Sequence, residues 1–240
     1  MRRFLLTVLM LSFIFSDISC QNLDDILQSH YKSWGQEVIS QVRTVRLEMV
    51  ELRGLKDQKK YQVSRKRPNM VRLDGLWKEH PYVHAYDGKG YWSISPWLDT
   101  EASHMTTEIE KEKLAKSLDI DSPLFKAQKE GIIMEHIGEK IYDEKEYHIL
   151  RIFHHEKRFL DYFIDMESYQ IFKTEERDIG NEKYVYEEVF FKNYKPQAGI
   201  NIALEYDIRS KTGNSNVVID NIVLGHGIPS SFFRRPIKPE

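Results

Sequence analysis

Nine histidines and a single cysteine bound the acid–base and metal chemistry open to this 240-residue chain. His80 and His84 have the i, i+4 spacing of two ligands on one helix face, but Pro81 between them rules out that helix. His154 and His155 are adjacent, so a strand sends them to opposite faces. Neither pair has metal-ligand spacing, and neither a metal site nor a cofactor is expected. Glu175-Glu176 and Glu187-Glu188 are likewise adjacent. Carboxylates on opposite faces of a strand cannot act together as acid and base. No G-x-S-x-G, nucleotide-binding glycine pattern or cysteine nucleophile occurs, so no catalytic residue is assigned and an enzyme is not expected.

The cysteine, Cys20, closes a leader. Arg2-Arg3 is a basic start, Phe4–Phe15 an apolar run too short to span a bilayer, and Ser16–Cys20 a more polar end. That is the anatomy of a secretory signal over residues 1–20, with residues 21–240 as one exported domain. Cleavage after Cys20 is favoured. Lipidation of Cys20 is the alternative, although Asp17 stands where a lipobox usually has an aliphatic residue. The leader carries Arg2, Arg3 and Asp17, so its removal moves the formal charge from −2 to −3. Such near-balance gives no electrostatic reason to expect nucleic acid.

Large aromatic and aliphatic residues at regular spacing say more than the polar ones. Leu23, Ile26, Leu27, Tyr31 and Trp34 recur at helical spacing, with Asn22 as cap and Gly35 as stop. From Arg43 to Leu52, apolar Val45, Leu47 and Met49 alternate with polar residues, as do Leu204, Tyr206 and their neighbours from Ile200 to Arg209. Asp87-Gly88 between β-prone runs predicts a tight hairpin. Val217–Ile219 and Ile222–Leu224 are apolar at both parities, which predicts a strand covered on both sides. Thr107 and Glu110 have capping-box spacing for a helix ending near Asp119, and Ser122-Pro123 opens another that stops at Gly131. The fold expected is mainly β: one strongly curved antiparallel sheet forming an incomplete barrel of about eleven strands, lidded by the leading helix and the helical insertion. A closed sandwich is the alternative, but it would leave the amphipathic helices nothing to cover.

Several short motifs, in order, resemble the bacterial outer-membrane lipoprotein-sorting family, the LolA/LolB-like carriers, in particular its Bacteroidetes-type branch. They are Lys66-Arg67-Pro68-Asn69 with Arg72, Ala85-Tyr86-Asp87-Gly88 followed by Trp92 and Pro96, and Ile120–Leu124. Gly131, Gly138, Tyr162–Asp165 and the closing Ser230–Phe233 follow. The resemblance covers nearly the whole chain beyond the leader. It implies an incomplete barrel of about eleven strands around an apolar cavity, binding acyl chains of lipoproteins or other lipids in the periplasm. Membrane-associated donor or acceptor proteins would be its partners. One departure is Trp34-Gly35, where the family usually has paired glycines.

A cavity for acyl chains needs a dry apolar lining without reactive groups. The expected lining is Val45, Leu47, Met49, Trp92, Trp97, Leu204 and Tyr206, and the expected lid residues are Leu114, Leu118, Leu124 and Phe125. Arg67, Arg72, Tyr86 and Asp87 are candidates for a polar rim, or else simply shape turns and strand edges. Two other readings remain open at this stage. One is an envelope-located sensing or interaction module without a shuttling role, which lipidation at Cys20 would favour. The other is a glycan binder using Trp77, Trp92 and Trp97 as stacking platforms.

Overall fold

Leu23–Trp34 forms the leading helix, α1, with the boundaries its residues dictate. The Asn22 side chain accepts from the Asp24 amide, and Gly35 ends the helix at φ +80°. Gly35 turns the chain directly into a second helix, α2 (Gln36–Gln41), so two short helices meet at a corner. That corner is packed tightly: a Cβ on Gly35 would collide with the carbonyl oxygen of Gly199 in the β-turn beneath it. Gly35→Ala therefore combines a disfavoured positive φ with a backbone clash. It is expected to lower stability by about 2 kcal/mol or more, readable in urea denaturation.

The computed structural model describes residues 22–54, 57–77, 79–95, 111, 114 and 119–236. The strands are β1 (Thr44–Arg53), β2 (Asp57–Lys66), β3 (Met70–Trp77), β4 (His80–Tyr86) and β5 (Tyr91–Ile94). After helix α3 (Pro123–Lys129) come β6 (Met134–Tyr142), β7 (Lys145–His155), β8 (Arg158–Asp165) and β9 (Ile171–Asp178). The last three are β10 (Val185–Gln197), β11 (Ile200–Ser210) and β12 (Gly213–Leu224). All twelve lie in one antiparallel sheet of order β5-β4-β3-β2-β1-β12-β11-β10-β9-β8-β7-β6, one strand more than expected. The pairing of β1 with β12 joins two meanders in the middle, while β5 and β6 stay unpaired with each other at the ends. The sheet is not closed, and short helices cover one of its faces, as an incomplete barrel requires.

Local chemistry explains the turns. At the β4–β5 hairpin, Asp87 Oδ1 accepts from the amides of Lys89 and Gly90, both at 2.9 Å, and Gly88 takes φ +91°. The face carrying Leu47 continues through Val63 and Leu73, and that carrying Val45 through Val71, so period two and register together build one inner surface. β12 departs from expectation. Val217 and Ile219 are buried inward, but Val218 on the outer side is only half-buried.

After β12 the chain crosses the outer face of β2–β5. Lys66 Nζ donates to the Ile228 carbonyl at 2.7 Å, and a 3-10 turn at Ser230–Phe233 seats Phe233 with no exposure. The predicted helix before Asp119 lies mostly outside the described residues, of which Lys111 and Leu114 are helical.

Candidate functional site

Two apolar clusters line the helix-covered face. One joins Ile26, Leu27 and Tyr31 of α1 and Leu124 and Ala127 of α3 to Leu150, Tyr162, Ile164 and Ile171 of β7–β9. The other joins Val45, Leu47, Val63 and Val71 of β1–β3 to Leu204 and Ile219 of β11 and β12, beneath Ile39 of α2 and Leu114. Trp34 packs against both, making the surface continuous. Of the expected lining, Val45, Leu47 and Leu204 are buried here, while Met49 and Tyr206 are half-buried. Of the expected lid, Leu114 packs on the second cluster. Leu124 is fully buried in the first, where Phe125 meets Tyr31 edge-on at 5.3 Å. Burying Leu124 contributes about 2 kcal/mol to docking α3.

A polar clamp holds these helices to the sheet. Arg67, at the corner after β2, donates through Nη1 and Nη2 to the two carboxylate oxygens of Asp121, each at 2.6 Å. Its Nε donates to the Val42 carbonyl at 2.9 Å and Nη2 to the Ile39 carbonyl at 3.0 Å, at the end of α2. Gln36 completes the junction, donating to Asp121 Oδ1 at 2.7 Å and accepting from the Ser122 amide at 2.9 Å. Burial alone would raise the Asp121 pKa. The hydrogen bonds from Arg67 and Gln36, with the nearby positive charge, hold it below the ordinary aspartate value. One guanidinium thus satisfies the C-terminal carbonyls of α2 and the carboxylate preceding α3.

His30 is the apolar counterpart of this clamp. It is wholly buried in α1, with Nδ1 donating to the Tyr169 carbonyl at 2.8 Å. Because a carbonyl can only accept, Nε2 carries the lone pair and accepts from Ser122 Oγ at 2.8 Å. Ser122 therefore precedes α3 as expected, but its hydroxyl serves His30 rather than capping its own helix. Burial lowers the His30 pKa to about 4, and the bond to Tyr169 opposes this only in part.

Arg65 brings a charge into the second cluster. Its side chain shares the face of Val45 and Val71, near Tyr61 and Tyr206. Nη1 donates to the Asp119 carbonyl at 2.6 Å, whereas Nε is shielded from solvent and has no hydrogen-bond partner among the described residues. Burial lowers its pKa from the usual arginine value. A guanidinium so placed can meet an anionic group entering the apolar surface. Sequence reasoning missed it because one arginine within a basic run carries no periodic signal.

Trp92 must be reassigned. The ladder aligns Arg46, Ser64, Arg72, Ala85 and Trp92, one residue out of phase with Leu47, so Trp92 faces the opposite side of the sheet. There it is 2% exposed beneath the C-terminal segment, with Nε1 donating to the Phe233 carbonyl at 2.8 Å. It neither lines the helix-covered face nor offers a glycan platform. Arg72 lies on the same outer side, bonded to Asp74 and to the Phe232 carbonyl, with its guanidinium 4.4 Å from the Phe232 ring centre. Tyr86 points inward against Tyr91, and Asp87 makes the hairpin turn. Arg67, Arg72, Tyr86 and Asp87 therefore form no common rim. Pro68, which follows a cis peptide bond, and Asn69 are exposed at the corner. A Cβ on Gly88 would come within 3.2 Å of Asn69 Oδ1, so the two turn motifs touch. Trp97, Leu118, Cys20 and the Trp77 side chain lie outside the described residues.

No protein-family model and no curated protein matches the chain. Solved structures do. A LolA superfamily protein from Nitrosomonas europaea shares 13% identity at a TM-score of 0.62, over 88% of this chain and 97% of that one. An outer membrane lipoprotein-sorting protein domain from Vibrio parahaemolyticus shares 12% identity at 0.60, over 87% and 94%. A DUF1329 family protein from Desulfovibrio piger shares 11% identity at 0.61, over 87% and 97%. The chain has the LolA-like fold, and at such identities the likeness speaks for the fold alone.

Proposed function

We propose that the protein is an exported carrier that binds acyl chains of lipoproteins or other lipids on the helix-covered face of its open sheet and moves them through the periplasm towards the outer membrane. The observation that carries this reading is the form of the apolar surface. It is continuous across the sheet and is covered by short helices held through Arg67 and Asp121, not by a second sheet. Helices held at a few points can part from a sheet more readily than two interdigitated sheets can. Each methylene transferred to such a surface contributes roughly 0.8 kcal/mol, so a single acyl chain gains useful affinity without specific contacts.

The test is binding of a fluorescent fatty-acyl probe, together with mass analysis of lipid extracted from protein purified from its own envelope. Leu73, half-buried on the inner face, is the informative position because Leu47 is too deeply buried to change without unfolding risk. Leu73→Asp is expected to weaken probe binding about tenfold or more while the protein stays folded. Unchanged binding by a folded Leu73→Asp variant, or no binding by the unaltered protein, rejects the reading.

A further inference from the structure

At the β6 edge of the sheet, two histidines and a glutamate meet without satisfying one another. Glu139 is opposite His148 across the β6–β7 ladder, and His136 is opposite Leu150, two residues further along β7. A bulge between His136 and Gly138 lets His136 and Glu139 share a side of β6 despite their odd spacing. One ligand atom from each residue lies within 4.8 Å of the others. The His136 and His148 rings stand 5.2 Å apart, nearly perpendicular, and His148 Nδ1 is 3.6 Å from Glu139 Oε1. His148 is fully buried, yet among the described residues neither of its ring nitrogens has a hydrogen-bond partner, and neither does the buried Nε2 of His136. The Tyr169 ring stacks beside His148, with ring centres 6.4 Å apart. A buried imidazole normally finds partners for its donor and its acceptor.

We propose that His136, Glu139 and His148 form a binding site for one divalent transition-metal ion of the zinc type, which ties the edge strand β6 to β7. Two imidazoles and one carboxylate suit zinc, copper or nickel, whereas calcium and magnesium favour an all-oxygen set. Ligand atoms around a tetrahedral zinc lie roughly 3.3 Å apart at its usual bond lengths of about 2.0–2.1 Å. The His148–Glu139 separation is already close to that, and Glu139, with 53% of its side chain exposed, is free to close the remainder. The same exposure leaves a position open to water. Among the described residues β6 pairs only with β7, and it exposes Ile137 and Ile141, so a clamp there would secure an edge strand of the sheet. No metal-ligand pattern shows in the sequence because the donors come from two strands with an intervening bulge.

The test uses untagged, chelator-treated full chain, titrated with Zn2+ by calorimetry and with Co2+ by visible absorption. One ion per chain, a higher melting temperature and a strong four-coordinate Co2+ band are expected. Both His136→Gln and Glu139→Gln should weaken binding by at least about tenfold. These residues are half-buried and exposed respectively, so the variants should fold even if one at buried His148 does not. Failure of the unaltered protein to bind either ion stoichiometrically overturns the proposal. So does affinity in both variants as high as in the unaltered protein, which would assign the ion to other surface histidines. Neither result bears on acyl binding.

Discussion

Replacing Arg67 by leucine is expected to lower the unfolding free energy by about 3 kcal/mol, and the melting temperature by roughly 6–12 °C. The loss exceeds that of an ordinary surface ion pair because Arg67 serves four acceptors at once. These are the two oxygens of Asp121 and the carbonyls of Ile39 and Val42. The leucine would leave a carboxylate only 14% exposed, with Gln36 as its remaining side-chain partner. Urea melts of R67L, Asp121→Asn and the double variant measure the coupling directly. The two losses should fall well short of adding, since each removes the same contact. A loss below about 1 kcal/mol for R67L would mean that apolar packing alone holds α2 and α3. The clamp should also weaken in acid. The folded-state pKa of Asp121 is depressed, so its contribution is present above the ordinary aspartate value and is lost as pH falls through the lower folded value.

A second large effect is expected at higher pH. Taking the protein from pH 7 to pH 4 should remove about 3 kcal/mol of stability through His30 alone. The unfolded histidine takes up its proton near 6.5, while burial lowers the folded value to about 4. Between these values the unfolded state holds more protons, so stability falls as pH falls and is fully present only above 6.5. Protonation would also put a hydrogen on Nε2, so that the nitrogen could no longer accept from Ser122 Oγ. His30→Gln should keep much of the hydrogen bonding and flatten the stability profile between pH 6.5 and 4. Burial also lowers the His148 pKa and adds a slope of the same sign, so the decisive quantity is the difference between the two proteins' profiles. Parallel profiles would remove His30 from the account. If they diverge, acid would loosen the junction of α1, α3 and the β8–β9 turn.

How much of this was legible in the sequence depends on how far apart the deciding residues lie. Asn22 and Gly35 bound α1 through contacts within a few residues, so composition and spacing suffice there. The same holds for the Asp87-Gly88 hairpin and for the alternation of Val45, Leu47 and Met49. Helices above one continuous apolar face followed from these local periods, and with them the open curved sheet. α2 did not, because six residues after a glycine are too few to display a period.

Trp92 marks where periodicity stops helping. Alternation says that Tyr91 and Trp92 face opposite ways, but two aromatic neighbours leave open which of them looks towards the helices. Phe233, 141 residues away, decides it by covering the outer side. Arg67 and Asp121 are 54 residues apart and His30 and Ser122 are 92 apart, so the clamp and its buried counterpart exist only once the sheet has curved. His136 and His148 converge only through strand register and one bulge. Apart from α2 and the outer side of β12, the sequence by itself determined which segments are helix or strand and which strands are amphipathic, because hydrophobic period and turn chemistry act over a few residues. The tertiary structure alone decided which face is inner, which cation holds the helices and which histidines meet, because those depend on register and curvature summed over twelve strands.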